Sequence, residues 1–72
     1  AVVGFIRQPS FPIPGGHRYR PDFLVKGNDG SIWVEDVKGF ETPEFKLKRD
    51  LWREVYWWLP LRVIKNGRMI DE

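Results

Sequence analysis

Two neighbouring stretches of the chain alternate between apolar and polar positions as the strands of a half-buried sheet do. They are RYRPDFLVK (18–26) and SIWVEDVK (31–38), and both are rich in β-branched and aromatic residues. The residues between them, GNDG (27–30), are typical of a hairpin turn. The pattern therefore predicts a β-hairpin near the centre of the chain.

The register of this hairpin depends on the length of its loop. A three-residue loop from Asn28 to Gly30 would place Asp22 opposite Asp36, with Gly30 in the left-handed conformation of a bulge. A two-residue loop would instead place Asp22 opposite Glu35, because a shift of one residue reverses the faces of a strand. We favour the three-residue loop, since its third position requires glycine.

The segments on either side of the hairpin give weaker strand signals. Three prolines and a Gly-Gly pair interrupt the opening of the chain, so any strand there should be short or at a sheet edge. Phe11 and Ile13 could pair briefly. Near the other end, LRVI (61–64) and RMI (68–70), joined by KNG, predict a strand followed by a short hairpin.

A helix is predicted from residue 43 to about residue 58. Thr42 is a good N-cap, Pro43 suits the first helical position, and Pro60 ends the helical pattern. Lys48 falls inside the apolar arc of this helix, where a buried ammonium group is costly unless it reaches a polar site. Two placements stay open: Lys48 faces the candidate site, or its side chain extends to solvent.

The predicted order β, β, β, α, β indicates an α/β class with a mixed sheet, in a single domain over residues 1–72. Eleven aromatic residues (four Trp, five Phe and two Tyr) can supply a core without disulfides, since the chain has no cysteine. No apolar run is long enough to span a membrane and no leader is recognisable. We therefore expect a soluble, cytoplasmic protein.

The charged residues are unevenly distributed along the chain. The net charge is only +2, but residues 1–21 contain basic residues and no acidic ones, and the acidic residues begin at Asp22. A positive segment that leads into carboxylates suits a site for phosphate groups. A chance run of solvated basic residues explains the charge distribution equally well.

Asp36 and Lys38 lie two positions apart on one predicted strand, so their side chains share a face at roughly 6 to 7 Å. In the favoured register Asp22 joins that face, and two opposed carboxylates repel each other unless a positive charge lies between them. Oxygen ligands without cysteine or a second histidine favour Mg²⁺ or Mn²⁺ over Zn²⁺. Lys38 could then stabilise the charge that builds on a phosphate under attack. This set predicts phosphodiester hydrolysis.

Pro21-Asp22 followed by Asp36-Val37-Lys38 resembles the signature of the PD-(D/E)XK nuclease superfamily. The stretch HRYRPDFLV…WVEDVKGF looks like the metal-binding hairpin of its small phage-type endonucleases and junction-resolving enzymes, and the likeness covers residues 5–64. The resemblance implies a restriction-endonuclease-like mixed sheet with a helix after the catalytic hairpin. It also implies a metal-dependent DNA endonuclease, with branched or phage recombination DNA as an expected substrate.

The same resemblance implies that Asp22 and Asp36 bind Mg²⁺ or Mn²⁺ and that Lys38 is the catalytic lysine. Family members usually carry a further acidic residue on a helix before the first strand, and residues 1–21 contain none. We therefore expect a fragment of the nuclease core without that helix. A partner segment, or the second subunit of a homodimer, would supply the helix and its acidic ligand.

Three basic residues, Arg18, Arg20 and Lys48, are the candidate DNA-binding residues, and Lys48 is also a candidate catalytic residue. In the favoured register Arg20 lies opposite Lys38, and a bridging phosphate would relieve the repulsion between these like charges.

Three other residues have simpler explanations than catalysis. His17 follows two glycines and is expected in an exposed loop, and Glu35 is expected on the other face of the sheet in a structural role. Trp57, on the polar side of the helix, is expected to mark a partner interface. A second functional class, an inactive DNA-binding or assembly module that keeps the nuclease fold, stays open beside the enzyme.

Overall fold

One helix and two β-sheets form the part of the protein described by the computed structural model, which covers residues 2–71 and the side chains of residues 2–70. The elements in chain order are β1 (Val2–Arg7), β2 (Phe11–Ile13), β3 (His17–Tyr19), β4 (Phe23–Gly27), β5 (Ile32–Val37), α1 (Pro43–Val55), β6 (Leu61–Lys65) and β7 (Arg68–Asp71).

Five of the strands form a mixed main sheet in the order β1-β4-β5-β6-β7, and β2 and β3 form a separate two-stranded sheet. β5 and β6 run parallel, whereas the other neighbours in the main sheet run antiparallel. Parallel neighbours need a crossover connection, and α1 supplies it between β5 and β6. The predicted α/β class with a mixed sheet is therefore confirmed.

The central hairpin has the three-residue loop. Leu24 pairs with Val34 across β4 and β5, and this register places Asp22 opposite Asp36. Gly30 has a φ of +88°, the left-handed conformation that the bulge requires. The signal in the turn residues was therefore sufficient to fix which side chains face each other.

The predicted continuous strand over residues 18–26 is wrong, because the chain breaks at Pro21. Proline has no amide hydrogen to donate to a sheet ladder, so it is rarely found in the interior of a strand. The residues before the break form β3, in which Tyr19 pairs with Phe11 of β2. The residues after it form β4 in the main sheet, where Asp22 N–H donates to the Glu35 carbonyl oxygen (3.1 Å).

The opening of the chain contains two strands, one at a sheet edge and one short, where the predicted order had a single strand. β1 forms one edge of the main sheet and pairs only with β4 in the described part of the chain. β2 is three residues long and includes Phe11 and Ile13. At the other end of the chain, β6 and β7 form the predicted hairpin, with Asn66 and Gly67 at positive φ in its turn.

The predicted end of the helix at residue 58 is wrong by three residues. α1 ends at Val55, Tyr56 is its C-cap, and the Leu59 N–H donates to the Tyr56 carbonyl oxygen (2.9 Å) in the turn that follows. The chain must return to the sheet before β6 begins, and this early turn places Leu59 in the core, 4% exposed. Burial of Leu59 thus decides where the helix ends.

The core lies between one face of the main sheet, α1 and the β2–β3 sheet. Its buried members are Ile13, Tyr19, Val34, Phe45, Trp52, Leu59, Leu61 and Val63. This packing leaves the carboxyl-terminal end of β5 and the amino-terminal end of α1 side by side, at the edge of the β2–β3 sheet. Over the described residues, no helix is long and apolar enough to cross a membrane.

Candidate functional site

Asp22 and Asp36 face each other across the start of β4 and the end of β5. The Val37 N–H donates to Oδ2 of Asp22 (2.7 Å), so the neighbouring strand holds the Asp22 carboxylate in place. Because the backbone occupies one oxygen of Asp22, the other remains for a further ligand. The pair is thus positioned by strand register rather than by a flexible loop.

Asp36 is the buried charged residue of the site, with 1% of its surface exposed. Its Oδ2 accepts a short hydrogen bond from the Tyr19 hydroxyl, and its Oδ1 lies 3.4 Å from Lys38 Nζ. The Lys38 ammonium also lies 4.6 Å from the centre of the Phe45 ring. A buried carboxylate of this kind needs partners on both oxygens, and Tyr19 and Lys38 are those partners.

The pKa of Asp36 is raised to about 6, chiefly because the carboxyl is buried, and the nearby Asp22 carboxyl also acts to raise it. The hydrogen bond from Tyr19 and the charge of Lys38 act in the opposite direction and favour the ionised form. For Tyr19 itself, burial and the Asp36 carboxylate hold the pKa of the hydroxyl well above its ordinary value. At neutral pH, therefore, Tyr19 is a hydrogen-bond donor and Asp36 is the acceptor.

A cleft of about 370 Å³ opens beside these residues, between the β2–β3 sheet and the beginning of α1. It is lined by Arg18, Tyr19, Arg20, Lys38, Thr42, Glu44, Phe45 and Lys48. All four basic residues singled out in the sequence thus line one cleft. Arg18 is held by Ser10, whose Oγ accepts from its Nε (2.6 Å), and Arg20 is exposed.

Lys48 lies in the cleft rather than extending wholly into solvent. Its side chain is 32% exposed, and its Nζ lies 3.4 Å from Glu44 one helical turn earlier. Thr42 begins the helix as predicted, since its Oγ1 accepts from the Phe45 N–H (3.1 Å). This cap fixes the direction in which the first turns of α1 present Lys48 to the cleft.

The other polar candidates lie away from the two carboxylates or outside the cleft. Glu35 is on the opposite face of the sheet, where it accepts a hydrogen bond from Trp33 Nε1 (2.7 Å). His17 is exposed at the start of β3 and lines a smaller pocket that shares Lys48 with the cleft. Trp57 is 79% exposed, and its expected role at an interface stays a prediction.

The carboxylate oxygens present fit a hard divalent cation such as Mg²⁺ or Mn²⁺ better than a softer ion such as Zn²⁺. Asp22 and Asp36 each keep one oxygen that the backbone and Tyr19 do not occupy. Mg²⁺ is commonly bound by one or two carboxylates, with water and substrate phosphate as the other ligands. Within residues 2–71 there is no group of three or more His, Cys, Asp or Glu that could hold a metal. A third acidic ligand would have to come from elsewhere.

Tyr19 is the site residue that the sequence did not reveal. In a continuous strand it would face away from Asp22, because an odd separation along a strand places side chains on opposite faces. The break at Pro21 removes this restriction and lets the Tyr19 hydroxyl reach Asp36. A proline between the two residues was the available signal, since it argues against an unbroken strand.

Comparison with protein families gives a match to a family of unknown function. The model of the family described as "Protein of unknown function (DUF1064)" matches residues 5–70, which include every element of the site. Curated proteins and solved structures gave no match.

Proposed function

We propose that this chain, which belongs to the DUF1064 family, is the core of a metal-dependent endonuclease that hydrolyses phosphodiester bonds in DNA. The observation that carries the proposal is the arrangement of Asp22, Asp36 and Lys38. Two carboxylates oppose each other, one directly before β4 and one on the adjacent β5. The lysine ammonium lies 3.4 Å from the buried one, beside a cleft with further cations. The restriction-endonuclease-like arrangement of the fold and a cytoplasmic location belong to the same proposal.

Asp22 and Asp36 are the proposed ligands for Mg²⁺ or Mn²⁺. When bound, such an ion would activate a water molecule and neutralise charge on the phosphate. Lys38 stabilises the negative charge that develops on the phosphate oxygens, and its contact with Asp36 keeps the ammonium at the edge of the cleft. The Phe45 ring, whose centre lies 4.6 Å from the ammonium, also limits its movement.

Arg18, Arg20 and Lys48 are the proposed contacts for the DNA backbone. They line the cleft that contains Lys38, so a phosphate placed there meets several cations at once. Contacts of this kind position a duplex without reading its sequence. We include branched DNA among the substrates to be tested because the resemblance to junction-resolving enzymes implies it.

One observation favours a second candidate function, an inactive DNA-binding or assembly module. Over residues 2–71 the site has two convergent carboxylates and no group of three potential metal ligands. A nuclease would therefore obtain its further acid from another segment or from the second copy in a homodimer. A binding module would need none, because the basic cleft alone can hold phosphates.

The test is DNA cleavage by the chain, alone and with any preceding segment of its natural protein restored. Linear, nicked and four-way-junction DNA would each be incubated with Mg²⁺, Mn²⁺, Ca²⁺ or EDTA. We expect cleavage with Mg²⁺ or Mn²⁺ and none with EDTA or with the Asp36→Asn variant. Asp50→Asn is the matched control, because Asp50 is an exposed residue of α1 outside the cleft.

Two results would contradict the proposal that the chain is the core of an endonuclease. Cleavage that survives Asp36→Asn would belong to a contaminating nuclease or to another site. Metal-independent DNA binding without cleavage, even with the longer protein, would establish the binding module instead.

A further inference from the structure

Tyr19 connects the two sheets at the proposed metal site. It lies on β3 in the small sheet, and its hydroxyl donates to Oδ2 of Asp36 on β5 in the main sheet. The side chain is 3% exposed, and its ring packs against Phe45 and Trp52 at 6.3 and 6.2 Å between ring centres. Both ends of this hydrogen bond are therefore fixed by the core.

The hydrogen bond determines which oxygen of Asp36 is available. A carboxylate can rotate about its terminal bond, and either oxygen could then face the cleft. With Oδ2 occupied by the Tyr19 hydroxyl, Oδ1 is the oxygen directed towards Lys38, 3.4 Å away. An outer hydrogen bond of this kind commonly orients a metal ligand and affects its affinity for the ion.

We propose that Tyr19 is a positioning residue, whose hydroxyl holds the Asp36 carboxylate with Oδ1 directed at the divalent ion. The inference rests on the proposed function, since it assumes that Asp36 is a ligand. Tyr19 binds neither DNA nor the ion through its hydroxyl; it acts through Asp36.

The place of Tyr19 in the chain gives the contact a second consequence. Its neighbours Arg18 and Arg20 both line the cleft. The hydrogen bond from Tyr19 to Asp36 therefore sets the distance between these two arginines, on either side of Tyr19, and the proposed ligand on β5. Packing of the ring would be satisfied equally by phenylalanine, whereas this alignment needs the hydroxyl group.

The first experiment measures Mn²⁺ binding by Tyr19→Phe, with free Mn²⁺ followed by electron paramagnetic resonance. We expect the dissociation constant to rise about 10- to 100-fold, the range found when an outer partner of a metal ligand is removed. Tyr56→Phe is the matched control, because the Tyr56 hydroxyl donates to the Pro12 carbonyl oxygen (2.9 Å) and not to a carboxylate. It should bind Mn²⁺ as the parent does.

DNA binding in EDTA separates positioning from general damage to the fold. A positioning role leaves this metal-free affinity within a few-fold of the parent, whereas a disrupted fold lowers it together with the affinity for Mn²⁺. If the parent binds Mn²⁺ and Tyr19→Phe binds it equally well, the inference is wrong and the proposed function stands. If the parent binds no Mn²⁺ even with any preceding segment of its natural protein restored, both are overturned.

A second experiment avoids the possibility that Tyr19→Phe does not fold. The chain has two tyrosines, so incorporation of 3-fluorotyrosine gives two ¹⁹F resonances, which Tyr56→Phe assigns. Mg²⁺ should shift the Tyr19 resonance and leave that of Tyr56 unchanged. A Tyr19 resonance that does not respond, under conditions where Mg²⁺ raises the melting temperature, would overturn the inference.

Discussion

At the scale of single residues, Asp36 combines a negative charge with nearly complete burial. Its hydrogen bond from Tyr19 and its contact with Lys38 compensate only part of the desolvation, because burial still raises its pKa to about 6. The ionised form that a metal site needs at neutral pH therefore lowers the stability of the fold. Such a cost at one residue is typical of functional sites.

The pH dependence of stability should reveal this cost. The folded-state pKa of about 6 lies above the reference value of 3.8, so the folded state retains a proton that the unfolded chain releases. The stability from this group is fully present below about pH 4 and is lost as the pH rises through 6. Asparagine does not titrate, so the Asp36→Asn variant does not lose this stability. Between pH 4 and pH 7.5 its free energy of unfolding should therefore rise by on the order of 2 kcal/mol relative to that of the parent.

Thermal or urea unfolding without metal at these two pH values would measure the difference. Asn keeps an oxygen that can accept from Tyr19, and Lys38 is 29% exposed and can be hydrated. Asp50→Asn, on the exposed side of α1, is the matched control for the change of charge. A stability difference for Asp36→Asn that is the same at both pH values would contradict the raised pKa.

If the proposed roles are right, substitution of Lys38 should impair DNA cleavage and substitution of Arg20 should impair DNA binding. Lys38→Ala removes a charge that acts on the transition state, so it should bind DNA within a few-fold of the parent and lose on the order of 10² in cleavage rate. Arg20→Ala removes a ground-state phosphate contact and should weaken binding instead. Single-turnover cleavage and direct binding assays would measure the two effects separately. Equal losses of cleavage rate and of DNA affinity in both variants would argue against distinct roles.

At the scale of elements, the central hairpin and the first turns of α1 place the site. Gly30 sets the hairpin register, and the Thr42 cap sets the start of the helix that carries Lys48. Each depends on a local backbone requirement and not on the ligand. Substitutions in these elements should therefore act first on the stability of the fold or on the position of the side chains of the site, and only through these on the reaction.

Gly30→Ala tests the hairpin loop. The added methyl group would have no atom within 4 Å, so any loss comes from the positive φ of +88° alone. We expect a loss of about 1–2 kcal/mol in the free energy of unfolding. Gly39→Ala is the matched control, with open space and no positive φ, and should be close to neutral or slightly stabilising. Equal effects of the two changes would contradict the bulged register.

Lys48→Met tests what α1 presents to the cleft. Because Lys48 lines the cleft and is only 32% exposed, we expect weaker cleavage with stability equal to or above that of the parent. Lys46, two residues earlier and exposed, does not line the cleft, so Lys46→Met should leave cleavage unchanged. Cleavage that is unchanged in Lys48→Met as well would assign this lysine to its ion pair with Glu44 alone.

At the scale of the whole molecule, the cleft exists because three units meet at one place. Arg18 lies on β3 and Arg20 directly after it, Lys38 directly follows β5 of the main sheet, and Lys48 lies on α1. The net charge of the chain is only +2, so local concentration of the cations matters more than their number. Binding to DNA should therefore depend on where a charge is removed.

The salt dependence of DNA binding measures this distribution. Each phosphate contact contributes about 0.9 to the slope of log affinity against log salt concentration for a duplex. Arg18→Ala should reduce the slope by about one contact. Lys26→Ala, an exposed change of equal charge on β4 outside the cleft, should reduce it by much less. Equal reductions would show that binding responds to net charge and that the cleft has no special role.

The amino-acid sequence by itself determined the features that depend on a few adjacent residues. The Asn28-Asp29-Gly30 loop gave the register that opposes Asp22 and Asp36, and Thr42 with Pro43 gave the start of the helix. These signals are readable because turns and caps have strict local requirements, such as positive φ at a glycine or an oxygen for an unpaired N–H. The mixed sheet followed from the order of such elements.

The features of the fold and the site that depend on contacts between distant segments were decided only by the tertiary structure. The break at Pro21, which moves Tyr19 into a second sheet, brings its hydroxyl to Asp36, 17 residues away in the chain. The end of α1 at Val55 is likewise decided by the burial of Leu59. Strand alternation and helical periodicity describe one element at a time, whereas these outcomes follow from how elements pack together, so the side-chain partners of the site emerge only when the chain is folded.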